Sequence, residues 1–182
     1  MVQFMTQKKW LTLIGHRACG KSSVGRKTAE ILQRPFFDLD EFIVKREGLE
    51  ITEIFRFFRE DGFRSRETLA LLNLPKMPIV LSCGGGTVIN PENARYLQKC
   101  STLVFLNTER YILEMRRLQT ENIKKRPLLG NCENIHAELD ALFAPRQQIY
   151  QQFADITINC EDKNINEIAA EIVKIGQEKH VF

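Results

Sequence analysis

The stretch TLIGHRACGKSSVG, residues 12–25, leaves a chain few ways to fold. Gly15 to Ser22 has the form G-x-x-x-x-G-K-S, directly after an apolar run at 10–14 and directly before a segment of helical period that begins at Lys21. Such a loop holds phosphate when a strand delivers it and a helix N-terminus receives it, because loop N–H groups and the helix dipole then converge on the same oxygens. The motif therefore dictates strand, loop and helix in that order, and with them an α/β architecture. Gly15, Ala18, Cys19, Gly20, Lys21, Ser22 and Ser23 are the expected nucleotide contacts. Lys21 has the reach for the β and γ phosphates, and Ser22 has the hydroxyl to ligate Mg²⁺. Cys19, at the head of a helix beside Lys21, is an expected reactive thiol. Arg17 is given no special part.

The rest of the chain keeps the same rhythm of short apolar runs and longer helical segments, which is that of a parallel sheet covered on both faces. Strands are expected at 10–14, 35–37, 78–82, 102–106 and 155–159. Helices are expected from 21 to about 32, several between 41 and 72, one after 90, one from 109, one around 137–153 and a last from 165. In that last segment Ile165, Ile168, Ala169, Ile172 and Ile175 recur at helical spacing, so one face should pack on the sheet. With 182 residues, 43% of them hydrophobic, the chain can bury one substantial core, and a single domain spanning 1–182 is expected. Two stretches break the rhythm, GGGTVINPEN and QTENIKKRPLLGNCEN, and the second is polar and basic enough to serve as a lid.

A net charge of +3, with cations and acids interspersed, argues against nucleic acid and in favour of small anions as partners. No apolar run approaches the roughly 20 residues of a membrane span, and MVQFMTQKKW has no apolar stretch of the signal-peptide kind, so no membrane is involved and the cytoplasm is the expected compartment. Five cysteines at 19, 83, 100, 132 and 160 have neither the parity nor the spacing of a disulfide framework or zinc site, and are expected to be reduced thiols.

Two further segments carry chemistry. RPFFDLDEF places Asp38 and Asp40 at the end of the second expected strand, where ligands bind in open α/β sheets. Two apart on a strand, they would point into one crevice, as a magnesium-side carboxylate and a hydroxyl-side carboxylate in phosphoryl transfer; as helix caps they would have no such part. PIVLSCGGGTV ends the third strand on Gly84, Gly85 and Gly86, as backbone does where a ligand must come close, or where a strand merely turns into a helix.

Taken together, GHRACGKSS, FFDLDEFI, EIFRFFREDGFRSRE, VLSCGGGTV, KKRPLL and RQQIY resemble, in order, the motifs of the shikimate kinases, over about 10–175 of the chain. The resemblance implies a three-layer α/β/α phosphate-loop kinase fold like that of the nucleoside monophosphate kinases. Its five parallel strands would be ordered 2-3-1-4-5, with a substrate-binding helical region at about 40–74 and a lid at about 117–132. It implies transfer of the γ-phosphoryl group of MgATP to the 3-hydroxyl of shikimate, a step towards chorismate and the aromatic amino acids, and a monomer is the expected state. Shikimate bears one carboxylate and three hydroxyls, so its site needs guanidinium groups and acceptors. Arg64 and Arg146 match the carboxylate-binding arginines, with Glu67 on the same helical face as Arg64 to hold it. Gly84, Gly85 and Gly86 match the substrate loop; Asp40 the acceptor of the attacked hydroxyl's proton; Asp38 the acid that orients magnesium through water. Arg126 matches the lid arginine that meets the transferring phosphoryl group, Arg117 a stack on adenine and Lys163 the adenine pocket.

The chain departs from the family pattern at Ala18, where a glycine is common, and at Arg59, where the glycine of a Gly-Glu pair usually stands, with a glycine instead at Gly62. Ile165 stands where a proline is frequent. Two other readings compete: a related kinase of the same fold acting on another acid, such as gluconate, and a silent module that senses ATP. Paired acids and a lid arginine oppose the sensor, and Asp40 with FRxxE and the triple glycine favours shikimate over gluconate.

Overall fold

The computed structural model describes residues 8–119, 128–129 and 132–181. Its centre is a parallel sheet of β1 (Trp10–Ile14), β2 (Phe36–Asp38), β3 (Ile79–Ser82), β4 (Ser101–Asn107) and β5 (Ile156–Asn159), in the order β2-β3-β1-β4-β5. β1 lies in the middle and all five of its residues are buried, which its composition WLTLI requires. Alternation divides it: Trp10 and Ile14 join Leu81, Leu103 and Phe105 in one hydrophobic cluster, while Leu11 and Leu13 join Val80, Val104 and Ile158 in the other. The edge strand β5 is buried only at every second residue.

The first cluster is covered by α2 (Leu39–Glu47), α3 (Ile51–Leu72) and α4 (Pro91–Cys100). α1 (Lys21–Leu32), α5 (Arg110–Gln119) and α7 (Ile165–Glu178) cover the second. α6 (Ile135–Phe153) gives Leu139 to the second cluster and Tyr150 to the first, so it passes across the end of the sheet rather than along a face. Ile168, Ala169, Ile172 and Val173 form the buried stripe of α7, as their spacing requires; Ile175 packs partly buried against the same cluster, and Ile165, the first residue of the helix, is 46% exposed.

α3 is two helices joined at Arg59, whose φ of 57° and ψ of −170° lie in a region that glycine adopts at almost no cost and other residues do not. The kink explains the displaced glycine. It turns Phe58 back over Gly62, where an added Cβ would collide with the Phe58 Cβ, and Arg66 then caps the pair, its guanidinium 3.7 Å from the centre of the Phe58 ring. Arg59 is exposed and pays for the turn in backbone strain. Arg59→Gly is expected to relieve more strain than it adds in unfolded-chain entropy, raising stability by about 1 kcal/mol and Tm by about 2–4 °C. A thermal melt at or below that of the parent would show the kink to be unstrained.

Candidate active site

The phosphate loop leaves β1 at Gly15, with φ 142°, and enters α1 at Gly20, with φ 98°. A Cβ at Gly15 would lie 3.0 Å from Cys19 Sγ and from Leu106 O, so the loop closes there only on glycine. Ala18 takes φ 69°, the left-handed conformation that a glycine at this place would adopt freely. Gly20, the N-cap of α1, has no side chain to cap it and no acid occupies the first turn, which leaves those N–H groups and the helix dipole open to an anion among the described residues. Lys21 is 8% exposed and folds its ammonium group into the loop, donating to Gly15 O at 3.0 Å and His16 O at 2.7 Å, with Cys19 Sγ at 3.6 Å. Cys19 is 1% exposed, so the thiol expected to react at the surface is shielded by packing. Ser23, on the first turn of α1, is exposed.

Asp38 both caps a helix and faces the phosphate loop. One carboxylate oxygen accepts from the N–H groups of Asp40 at 3.0 Å and Glu41 at 3.4 Å; the other accepts from the Ser22 hydroxyl at 2.5 Å. Ser82 Oγ, at the end of β3, lies 3.4 Å from Ser22 Oγ. This is a set of hard oxygen donors beside a phosphate cradle, and it suits Mg²⁺, which takes one or two protein oxygens and fills its shell with water and phosphate. Asp40 does not extend β2. It lies on the first turn of α2, so helix geometry, not strand alternation, turns it away from Asp38 and towards a second pocket.

That pocket is lined by Arg17, Asp40, Ile51, Phe55, Phe63, Arg64, Glu67, Gly84 to Gly86, Leu129 and Arg146. It brings together every expected acid-substrate residue. Glu67, fully buried, accepts from Arg64 Nη1 at 2.9 Å and from Thr87 Oγ1 at 2.7 Å, so one carboxylate orients the arginine and ties down the glycine loop. Burial pushes the Glu67 carboxyl above its usual range, against the pull of Arg64 and Thr87. Burial also opposes the charge on Arg64, but Glu67 and Glu60 outweigh it and raise its pKa. Gly84 and Gly86 are where backbone is wedged: an added Cβ would meet Glu67 Oε1 at 2.9 Å from Gly84 and the Arg64 guanidinium from Gly86, whereas at Gly85 it would rest in ordinary contact with Arg17 N at 3.4 Å. Arg17 is the residue that sequence reasoning passed over, since nothing in the loop motif says that this part of the loop borders the neighbouring pocket.

The nucleotide-side cations are arranged differently. Arg117 is 3% exposed and its Nη2 lies 3.0 Å from Glu138 Oε1, inside the protein. The other Glu138 oxygen accepts from Leu129 N at 3.0 Å, so this acid joins the end of α5 to the pocket wall. Its neighbour Arg116 lies over the phosphate loop instead, with Nη1 3.4 Å from Ala18 O. Lys163 pairs with Glu171 at 2.7 Å. Arg126 lies outside the described residues.

His16, the second residue of the loop, is 5% exposed, stacked on Phe143 of α6 at 4.6 Å and 3.2 Å from Gln147 Oε1. Gln147 donates its own N–H to Asn107 Oδ1 at 2.7 Å, so its oxygen is the acceptor and His16 Nε2 the donor. Burial, with help from Lys21 and Arg146 and against the Gln147 bond, lowers the imidazole pKa to about 4. The folded protein keeps it neutral while the unfolded chain takes up a proton below about 6.5, so stability should fall from about pH 6.5 to about pH 4. This group accounts for about 3 kcal/mol of that fall. Urea unfolding at pH 7, 5.5 and 4 should show His16→Gln losing that much less than the parent; parallel losses would mean that His16 is protonated in the folded state.

The shikimate kinase family model matches residues 17–176 of the chain. The shikimate kinase of Haemophilus influenzae (strain PittEE) is 37% identical over 172 residues, which is 94% of this chain and 94% of that protein. That of Thioalkalivibrio sulfidiphilus (strain HL-EbGR7) is 38% identical over 169 residues, 92% of this chain and 87% of that one. The structure of the shikimate kinase from Acinetobacter baumannii in complex with shikimate superposes with a TM-score of 0.87 at 32% identity, covering 97% of this chain and 96% of the other. With phosphate loop, paired acids, triple glycine and pocket arginines in these positions, the chain belongs to the shikimate kinase family.

Proposed function

We propose that the enzyme phosphorylates the 3-hydroxyl of shikimate with ATP, giving shikimate 3-phosphate on the route to chorismate, and that it does so in the cytoplasm as a monomer. The observation that carries this reading is adjacency: a Cβ at Gly85 would lie 3.4 Å from Arg17 N and 3.6 Å from Gly15 O, so the acid pocket and the phosphate loop share a wall. A hydroxyl held in one faces a phosphate held in the other.

Arg64 and Arg146 take the carboxylate of shikimate, and Glu67 keeps Arg64 in place for it. Asp40 holds the ring hydroxyls and accepts the proton of the 3-hydroxyl as its oxygen bonds to the γ-phosphorus and ADP leaves. The N–H groups of the loop and the Lys21 ammonium stabilise charge on the phosphoryl oxygens. Ser22 and Asp38 would hold Mg²⁺, which would supply positive charge against the phosphate oxygens. The segment at about 117–132 is the lid, which brings Arg126 to the phosphoryl group and excludes water. Lys163 belongs to the adenine side; Arg117, buried against Glu138, would have to leave that pair to stack on adenine.

A coupled assay with ATP and a panel of shikimate, gluconate and nucleoside monophosphates tests the reading. Turnover of shikimate alone is expected. Preference for gluconate would move the chain to the competing kinase reading, and binding of ATP with no turnover of any acceptor would make it a sensor.

A further inference from the structure

The tyrosine that ends RQQIY has no part in the chemistry above. Tyr150 is fully buried, one turn beyond Arg146 on α6, and its hydroxyl donates to the carbonyl oxygen of Gly85. Its ring is fixed by its neighbours, edge-on to His16 at 4.9 Å and tilted against Phe105 at 5.3 Å, so the hydroxyl has one direction to point in. The flanking carbonyls of the same loop are held by backbone instead: Gly84 O accepts from Thr87 N at 3.2 Å, and Gly86 O from Ile89 N at 3.0 Å. The Gly85–Gly86 peptide thus owes its orientation to a side chain from another element. No Cβ is present at either residue to resist rotation of that peptide, and glycine backbone is otherwise free to turn.

We infer that Tyr150 is a positioning residue for the acid substrate: by holding the Gly85 carbonyl it fixes the trans Gly85–Gly86 peptide, and so directs the Gly86 N–H away from α6 as a donor to shikimate. The inference deepens the shikimate reading of the same pocket and rests on it. A donor aimed before the substrate arrives costs nothing to order on binding, whereas a peptide free to turn must be ordered each time. Burial raises the pKa of the Tyr150 phenol, so the group stays a donor across the working range of pH.

The test is Tyr150→Phe, which keeps the ring and removes one oxygen. Shikimate affinity by calorimetry and KM for shikimate are expected to weaken about tenfold, the value of one hydrogen bond whose acceptor is left buried. ADP affinity should stay within about twofold, and kcat at saturating shikimate within about threefold, because bound substrate selects the competent peptide. With shikimate bound, amide hydrogen exchange followed on ¹⁵N-glycine-labelled protein should quicken at Gly86 and not at Gly25 or Gly176. Unchanged shikimate affinity overturns the inference, and so does an equal loss of ADP and shikimate affinity, the mark of a general loosening. Since Tyr150 also touches Arg146, the same comparison is made in an Arg146→Lys background: loss of the Tyr150 effect there would transfer the role to Arg146. If the parent enzyme neither binds nor phosphorylates shikimate, the functional reading fails, and that result is distinct from a parent and variant that behave alike.

Discussion

Lys21→Met is expected to lower kcat by roughly 10³-fold or more, the largest effect of any single substitution here, because phosphoryl transfer is catalysed mainly by charge placed against the equatorial oxygens. The structure adds a second consequence. The ammonium of Lys21 bonds the carbonyls of Gly15 and His16, so methionine leaves two loop carbonyls without their donor and the loop must find another shape. Nucleotide affinity is therefore expected to change along with the rate, while the sheet, to which Lys21 contributes no packing stripe, keeps its circular dichroism and melting behaviour. Steady-state kinetics with calorimetry of ADP binding will measure both. A variant with near-normal kcat would remove the phosphate loop from the mechanism.

Asp40→Asn is expected to lower kcat by roughly 10²-fold or more with a smaller loss of shikimate affinity, since the amide keeps the shape of the carboxylate but cannot take a proton. Asp38→Asn should behave differently. Its carboxylate accepts from Ser22 and caps α2 at once, so the amide is expected to raise the magnesium requirement, with part of the rate restored by excess Mg²⁺, while its oxygen keeps the cap and leaves stability nearly unchanged. Magnesium titrations of kcat on the two variants separate the roles. Rescue of Asp40→Asn but not Asp38→Asn would exchange them, and wild-type behaviour from both would reduce the acids to helix caps.

Much of this site was legible in the chain because its parts are local. A phosphate loop is eight consecutive residues between a strand and a helix, and its geometry follows from the motif and its flanks. Arg64 and Glu67 are three apart on one helix, so their pairing follows from helix geometry alone. What could not be read is what separate elements do to one another. Arg17 lines the acid pocket because the loop after β1 abuts the loop after β3, and Arg117 pairs with Glu138 across 21 positions through the approach of α5 to α6. The strand placement of Asp40 failed for a different reason: Asp38 makes a good strand end and a good cap, and the cap starts the helix at Leu39, two residues sooner than the expected start at 41. The exchange of glycine between positions 59 and 62 was visible as a departure, but its meaning, a kink that turns Phe58 over Gly62, required the backbone.

The wedging of Gly84 and Gly86 decides where the pocket can change its taste. On that wall a methyl group added at Gly84 or Gly86 meets a carboxylate or a pinned guanidinium, and on the charged wall Arg64 is braced by Glu60 and Glu67 together. Neither wall has slack. The opposite side is made of Ile51, Phe55, Phe63 and Leu129, side chains that exclude water without bonding to anything, and such positions tolerate exchange among apolar residues of similar volume. A lineage of such chains drifting towards a bulkier or less hydroxylated ring acid would record the drift there. Gly84 and Gly86 would remain as they are.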